Sequence, residues 1–271
     1  MRVTGAPRIA GRLGAGLACV LCLGACAPHL VLPPDHRPEL RARRYLAALE
    51  ERTARGGAAA ADAVLWAERS GYRKLPGVLV SVYLAAPDRV RFKVGSMFGT
   101  AVVLGARGDS LRAYLPARRL GLRLDAAHDS LGLPEPGVIA YRALSAAWRP
   151  PPEAWARSAW ADSLLEVSWV ESQDTLSLVV GAAGLPLRVT AKRTDGGSWR
   201  ADYRAWDRGE GAPWPSQVEF VHRDLHLVYK VNRLVRQAHP DPLRLAVGIP
   251  EGAEELTLED LRAAFERLGS F

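Results

Sequence analysis

Apolar and charged residues alternate along most of the chain between residues 60 and 235. In Asp88–Val94, the apolar residues Val90, Phe92 and Val94 occupy every second position, and arginine or lysine fills the positions between them. A period of two is typical of strands with one buried and one hydrated face. Similar stretches, separated by turn signals, predict eleven or twelve strands in a meander of antiparallel pairs. The predicted strands are 62–69, 77–85, 88–94, 99–105, 110–115, 119–124, 163–170, 174–181, 185–192, 199–204, 215–222 and 225–232.

Three further segments have the pattern of helices. The first begins near Pro38, since a proline at the first helical position loses no backbone hydrogen bond, and it ends at the glycines 56–57. Its apolar face consists of Ala42, Tyr45, Leu46 and Leu49. The second is predicted over residues 137–148, and the third over about 258–268 with Thr257 as its N-cap and Asp260 three residues later.

A long antiparallel sheet has one apolar face that must be covered, and these helices are available to cover it. The predicted fold is therefore mainly β (α+β): an unclosed antiparallel barrel of about eleven strands with helices over its concave face. Such an interior suits an apolar ligand, but the pattern leaves open whether it is hollow or filled. The candidate lining residues are Trp66, Val90, Phe92, Val94, Val102, Leu104, Leu227 and Tyr229.

The N-terminus has the pattern of a secretory signal peptide. Arg2, Arg8 and Arg12 form a positive leader, and the apolar run Leu13–Leu23 follows it. This run is about half of the roughly 20 residues that a membrane-spanning helix needs. We therefore expect a cleaved signal rather than a retained membrane helix.

The apolar run ends in Leu23-Gly24-Ala25-Cys26, which closely resembles the lipobox of bacterial lipoproteins. The resemblance implies cleavage before Cys26, which then carries a diacylglycerol and an N-acyl chain. An ordinary signal peptide with a chance cysteine is the alternative. Because Cys19 and Cys22 lie in the removed piece, we expect no disulfide and no cysteine-based metal site in the mature chain.

The sequence thus divides into a signal peptide at 1–25, a lipidated cysteine with a proline-rich tether at 26–37, and a single domain at 38–271. The formal net charge is +7, and its arginines are spread along the chain rather than clustered. This distribution argues against a nucleic-acid surface and is compatible with a mild attraction to anionic lipid headgroups.

The sequence contains no nucleophile elbow, no His-Glu-x-x-His zinc motif and no glycine loop for phosphate. His222 and His226 would lie about 13 Å apart on one strand, too far to share a metal ion. We interpret them, like Asp125 and Asp129, as solvated residues. We expect no enzymatic activity, no catalytic residue, no metal and no cofactor apart from the acyl groups on Cys26.

Three stretches, taken in order, resemble the LolB family of outer-membrane lipoprotein receptors within the LolA-like superfamily. They share with it a strand–loop–strand with an apolar loop residue before a glycine, a Gly-x-Pro-x-Pro segment followed by a tryptophan-bearing helix, and a set of final strands. The three stretches are residues 89–105, residues 132–148 with Trp148, and residues 199–234. The resemblance covers residues 40–235 loosely, and it also fits the periplasmic carrier LolA and uncharacterised lipoprotein domains.

The resemblance implies that the cavity takes the acyl chains of a client lipoprotein from a LolA-like periplasmic carrier and assists its insertion into the outer membrane. It implies a monomer, anchored in membrane lipid on the periplasmic face of that membrane, without a nucleotide or a nucleic acid. Apolar chains in water are unfavourable, so a dry cavity would shield them during transfer. Ala27 follows Cys26, in place of the aspartate that marks inner-membrane retention in some bacteria.

Beyond about residue 237 the chain departs from this family. A short apolar stretch, Leu243 to Ile249, leads into the predicted terminal helix. We expect an added strand and helix there.

The same resemblance places Met97, Phe98 and Gly99 at the tip of a predicted hairpin. Phe98 corresponds in position to a protruding leucine of the LolB family that is implicated in releasing cargo into the membrane. An exposed aromatic residue on a loop is a candidate for contact with a membrane or a partner. In the alternative, Met97 and Phe98 fold back and close the end of the barrel.

Two other functions remain open. A LolA-fold sensor or scaffold of the cell envelope would bind lipid as a signal without transferring it. A surface enzyme would need a site that the sequence motifs do not show. Acyl chains that co-purify with the protein would favour lipid binding over an enzyme, and a transfer assay would then separate carrier from sensor.

We expect Phe98→Glu to leave the fold intact and to block delivery of lipoprotein from carrier to membrane, because a charge opposes contact with hydrocarbon. A reconstituted transfer assay with a labelled lipoprotein measures this directly. Normal delivery by the variant would contradict the role assigned to the hairpin tip.

Overall fold

The structure is a computed structural model, which describes residues 38–55, 57–69, 77–97, 99–125, 135–161, 163–172, 174–194, 196–209, 211–223, 225–237, 241–257 and 259–260. The chain forms two compact units, Met1–Leu40 and Arg41–Phe271, and the sheet belongs to the second. Cys26, Phe98 and most of the predicted terminal helix lie outside the described residues.

Strands dominate the described part of the chain. Its helices are α1 (Pro38–Ala54), α2 (Pro136–Ser145) and α3 (Pro242–Leu245). Its strands are β1 (Ala58–Arg69), β2 (Val78–Ala85), β3 (Arg89–Ser96), β4 (Gly99–Arg107), β5 (Ser110–Leu115), β6 (Leu120–Asp125), β7 (Ala159–Ala161), β8 (Leu164–Glu171), β9 (Asp174–Val180), β10 (Pro186–Lys192), β11 (Ser198–Asp207), β12 (Trp214–His222), β13 (Leu225–Gln237) and β14 (Glu254–Glu255).

All fourteen strands form one sheet, in the order β14-β6-β5-β4-β3-β2-β1-β13-β12-β11-β10-β9-β8-β7. The chain starts in the middle at β1 and builds outward to β6. It then continues through α2 to the opposite edge and returns strand by strand from β7 to β13, which pairs with β1. Every pair is antiparallel except β14 with β6, which is parallel. The two edge strands, β14 and β7, are not neighbours, so the sheet is unclosed.

The register of strand pairing places apolar residues on the same face across the sheet. Directly opposed residues of an antiparallel pair share a face, and Val90 of β3 is opposed by Leu84 of β2 and Ala106 of β4. On the far side, Val218 of β12 is opposed by Tyr203 and Tyr229. We call the face that carries these residues the inner face, and the opposite one the outer face.

Helices α1 and α2, which we call the helical cover, pack on the inner face. The apolar residues predicted for α1 are all buried, and they form one cluster with residues of both halves of the sheet. Gly184, in the turn between β9 and β10, lies directly under α1, because a Cβ there would come 2.6 Å from the Cβ of Ala48. Each fully buried leucine or valine side chain contributes about 1.5–3 kcal/mol, so this cover stabilises the fold strongly.

Helix α2 shows that the sheet is curled. It packs against β3, β4 and β5 and also against β12. A helix of its ten residues is about 15 Å long. The six strand spacings from β5 to β12 would span about 29 Å in a flat sheet. The sheet must therefore bend around the helix, as the predicted unclosed barrel requires.

The strand count and the end of the second helix were predicted wrongly. The sheet has fourteen strands rather than about eleven, and the two that were missed, β7 and β14, have three and two residues. Such short strands cannot show an alternating pattern. Helix α2 ends at Ser145, since Ala146 adopts a left-handed conformation with φ of 55°, and Trp148 follows the helix rather than belonging to it.

The segment after β13 contains the short helix α3, which falls within the apolar stretch Leu243–Ile249, and the two-residue edge strand β14. The expected terminal helix lies mostly outside the described residues. Before β14, Val247 and Ile249 pack on the outer face against Gly105 and Gly121, where an added Cβ would come within 2.4 Å of each side chain. Thr257 is placed as expected for the N-cap of the predicted terminal helix, because the backbone N–H of Asp260 donates to its Oγ1 at 3.1 Å.

Gly137 fixes the start of α2 against the sheet. A Cβ at this position would lie 2.3 Å from the carbonyl oxygen of Asp88 and 2.6 Å from the backbone nitrogen of Gly108. We expect Gly137→Ala to lower the free energy of unfolding by about 1–3 kcal/mol, because backbone atoms cannot move aside as a flexible side chain can. Gly248→Ala is the matched control, since its Cβ would meet no atom within 4 Å. Urea unfolding measures both, and equal stability of the two variants would contradict this close contact.

Candidate functional site

The inner face brings together seven of the eight residues predicted to line a cavity. Opposed pairs place them on the same side of the sheet as Val90, and Tyr229 and Val90 are the most deeply buried. The seven residues are Val90, Phe92, Val94, Val102, Leu104, Leu227 and Tyr229.

Trp66 was assigned to this face wrongly. It is opposed by Val228 of β13 and lies on the outer face, where a Cβ on Gly77 would come 2.5 Å from its Nε1 atom. The inner positions of β1 are instead small residues, among them Ala59, Ala61 and Ala63. Because alanine gives little contrast with its neighbours, the large tryptophan was mistaken for the buried side of the strand.

Aromatic side chains fill much of the space between the sheet and the helical cover. Trp199 stacks on Phe220 and lies beside Trp148, with ring centroids 5.8 Å apart in each pair. Nε1 of Trp148 donates a hydrogen bond of 2.6 Å to the hydroxyl of Tyr203. Burial raises the pKa of Tyr203, as it does for Tyr229. The alternation in β11 predicted that Trp199 and Tyr203 share one face of the strand. Nothing in the sequence indicated that they contact Trp148.

Buried side chains of the described residues pack together between the sheet and the helical cover. Two pockets that reach core residues have volumes of about 30 Å³ and 80 Å³, whereas ligand pockets usually measure roughly 300–1,000 Å³. A pocket of about 370 Å³ lies beside the β3–β4 hairpin, where Leu79, Lys93 and Gly99 line it. Lys93 is opposed by Ser81 and Val103, which places this pocket on the outer face. Neither of the two pockets that reach core residues has room for an acyl chain unless the helical cover moves.

Arg52 joins the two helices of the cover. It lies on the otherwise apolar side of α1, and its side chain is only 7% exposed. Its Nη1 donates to the carbonyl oxygen of Ser145 at 3.2 Å, and its Nη2 donates to that of Ala146. A cation at the C-terminal end of a helix also interacts favourably with the helix dipole. The guanidinium therefore ties α1 to the end of α2.

Burial lowers the pKa of Arg52 to about 10, although nearby Tyr203 and Tyr141 favour its charged form. An arginine so deeply buried, with no carboxylate partner among the described residues, is unusual in a fold's core. Its spacing could have identified it, because Arg52 follows Leu49 by three residues and so continues the apolar face of α1.

The β3–β4 hairpin presents Met97 to solvent, with 93% of its surface exposed. Gly99 next to it adopts φ of 114°, a conformation that favours glycine, and its carbonyl oxygen accepts a hydrogen bond from Oγ of Ser96. Leu79, which lines the neighbouring pocket, is 67% exposed. Met97 thus does not fold back over the end of the barrel.

The two histidines considered for a metal site lie on different strands, His222 at the end of β12 and His226 at the start of β13. The single-strand spacing used for them was therefore wrong. Val221 opposes His226 and Leu225 opposes His222, so the two imidazoles lie on opposite faces. In the described part of the chain, no group of three His, Cys, Asp or Glu residues could hold a metal ion. None of the helices described there is long and apolar enough to cross a membrane.

The sequence matches no protein-family profile, and no curated protein is similar to it. Solved structures are similar in fold. A LolA superfamily protein from Nitrosomonas europaea is 12% identical with a TM-score of 0.51, over 74% of this chain and 96% of that one. A DUF1329 family protein from Desulfovibrio piger is 11% identical with a TM-score of 0.50, over 77% and 96% respectively. With its curled, unclosed sheet and helical cover, the chain has the fold of the LolA superfamily.

Proposed function

We propose that this chain is a lipoprotein of the cell envelope that binds acyl chains on its inner face. In this proposal Cys26 anchors it to the periplasmic side of the outer membrane, where it assists the localisation and insertion of other lipoproteins. The observation that carries the proposal is the single apolar inner face covered by α1 and α2 and not by a second sheet. Movement of these helices away from the sheet would leave the backbone hydrogen bonds between its strands intact.

In this proposal, binding requires that the helical cover open. Opening breaks the two hydrogen bonds from Arg52, each worth about 1.5–3 kcal/mol. It also breaks contacts of α2 with the sheet, among them the hydrogen bond of 3.0 Å from the Tyr141 hydroxyl to the carbonyl oxygen of Gly57 and the Arg142–Glu171 ion pair at 2.7 Å, and it exposes apolar surface of the helices. A chain of about 15 methylenes gains roughly 12 kcal/mol on leaving water. An acyl chain that replaces the helix side chains against the inner face would offset part of this loss.

The exposed hairpin tip supports a membrane contact in the same proposal. Met97 and Leu79 are apolar and exposed, and Lys93 lies beside them. A cation next to apolar side chains suits a surface of anionic lipid. The partners proposed are membrane lipid, the acyl chains of client lipoproteins and a LolA-like periplasmic carrier, with the protein acting as a monomer.

A lipid-binding sensor or scaffold without transfer activity is the second candidate. The small size of the two pockets that reach core residues favours it, because a closed resting state suits a protein that changes conformation when lipid arrives. Transfer of a labelled lipoprotein from carrier to vesicle would separate the two roles.

Quenching of tryptophan fluorescence by dibrominated stearate tests whether acyl chains reach the interior. We expect quenching in the full chain that persists in Trp66→Phe, since Trp148 and Trp199 lie inside and Trp66 lies on the outer face. Arg52→Met should reach half-quenching at about one tenth of the wild-type lipid concentration, because opening then breaks fewer charged hydrogen bonds.

Arg55→Met is the matched control for that experiment. Arg55 lies on the same helix, but its side chain is 63% exposed and pairs with Glu51 at the surface. It should behave as the wild type. If stearate fails to quench the wild-type protein, or if quenching disappears in Trp66→Phe, the inner face is not the binding surface.

A further inference from the structure

A small pocket lies where the C-terminal ends of α1 and α2 meet the ends of β1 and β13. Its volume is about 80 Å³, and its lining includes Arg52, Thr53, Arg55, Trp214 and Arg236. Since a water molecule occupies about 30 Å³ in the liquid, the pocket has room for a compact group of a few heavy atoms.

The charges around this pocket are not balanced. Three arginines line it, and none of its lining residues in the described part of the chain is acidic. Arg55 pairs with Glu51 at the surface, while the hydrogen bonds of Arg52 to the described residues go to backbone carbonyl oxygens. The excess of positive charge would favour an anion between them.

Several buried donors at this pocket have no acceptor among the residues that the structure describes. They are Nε and Nη2 of Arg236, Nε of Arg52, Nε1 of Trp214 and the hydroxyl of Thr53. Thr53 and Trp214 are each only 5% exposed. Buried polar groups are nearly always hydrogen-bonded in native proteins, so a cluster of unpaired donors indicates a missing acceptor.

The geometry points to a binding site for one oxyanion of the phosphate class, held by Arg236 together with Thr53 and Trp214. Nε and Nη2 form one edge of a guanidinium, and that edge matches two oxygens of a phosphate group in a bidentate arrangement. The hydroxyl and the indole N–H supply donors for the remaining oxygens. The phosphate of a lipid headgroup and inorganic phosphate share this chemistry. Arg236 and Trp214 lie at the end of the inner face, because Ala59 opposes Arg236 and Trp214 packs in the core cluster. The oxyanion site is proposed independently of acyl-chain binding.

Thermal unfolding of the full chain in a nonionic detergent tests the site. Sodium phosphate should raise the melting temperature above that in sodium chloride of equal ionic strength, since a ligand of the folded state stabilises it. Arg236→Gln should need about tenfold more phosphate for the half-maximal shift, as expected for the loss of a charged hydrogen-bond donor. Arg233→Gln, an exposed arginine on the same strand, should respond as the wild type.

Thr53→Val and Trp214→Phe provide a second measurement if Arg236→Gln does not fold. Each removes one donor with little change in size, and each should weaken the phosphate response. A comparison of three ligands shows whether the bound oxyanion is a lipid headgroup or free phosphate. The ligands are dihexanoyl phosphatidic acid, dihexanoyl phosphatidylcholine and inorganic phosphate. A response to phosphatidic acid at tenfold lower concentration assigns a lipid headgroup, and equal responses assign free phosphate.

Two results would overturn the site. The first is equal melting temperatures in phosphate and chloride for the wild-type chain. The second is an equal phosphate response from the wild type and every folded variant that lacks a pocket donor, which would indicate general screening of charge.

Discussion

The apolar inner face of this sheet must be shielded from water, and that constraint shapes the rest of the fold. The sheet is too long to stay flat and its edges do not meet, so its two halves curl around α1 and α2. Small residues occur where the helices come closest, such as Gly184 under α1 and Gly137 at the start of α2. In the proposed function the helices are the part of the core that moves, while the backbone hydrogen bonds of the sheet form without them.

Arg52 gives this arrangement its polar component. A buried charge without a carboxylate partner adds little net stability compared with an apolar side chain of similar size. Its two hydrogen bonds do fix one helix to the end of the other, because carbonyl oxygens at the end of α2 have no helical partner. The same guanidinium borders the pocket at the ends of the helices, so an anion bound there would lie next to the contact that holds the helical cover closed.

Alternation along the strands was enough to predict the twelve longer strands and, with the helical period of α1, the unclosed sheet with a helical cover. It failed where the residues of a strand do not alternate clearly between large apolar and polar side chains, and where a strand is too short to show a period. The alanines of β1 hid the orientation of Trp66, and β7 and β14 were too short to detect. The pocket with Thr53 and Arg236 could not be predicted at all, because its residues are distant in sequence and meet only through the pairing of β1 with β13. Whether the interior is filled depends likewise on how Trp148, Trp199 and Phe220 pack together.

Movement of the helical cover is the central claim, and amide hydrogen exchange measured with and without a fatty acid tests it most directly. With the acyl chain bound, exchange in α1 and α2 should increase, because both helices leave the sheet, while exchange in β8 to β11 should stay slow. Unchanged exchange in both helices at saturating fatty acid, with protection confined to the outer face, would contradict the claim.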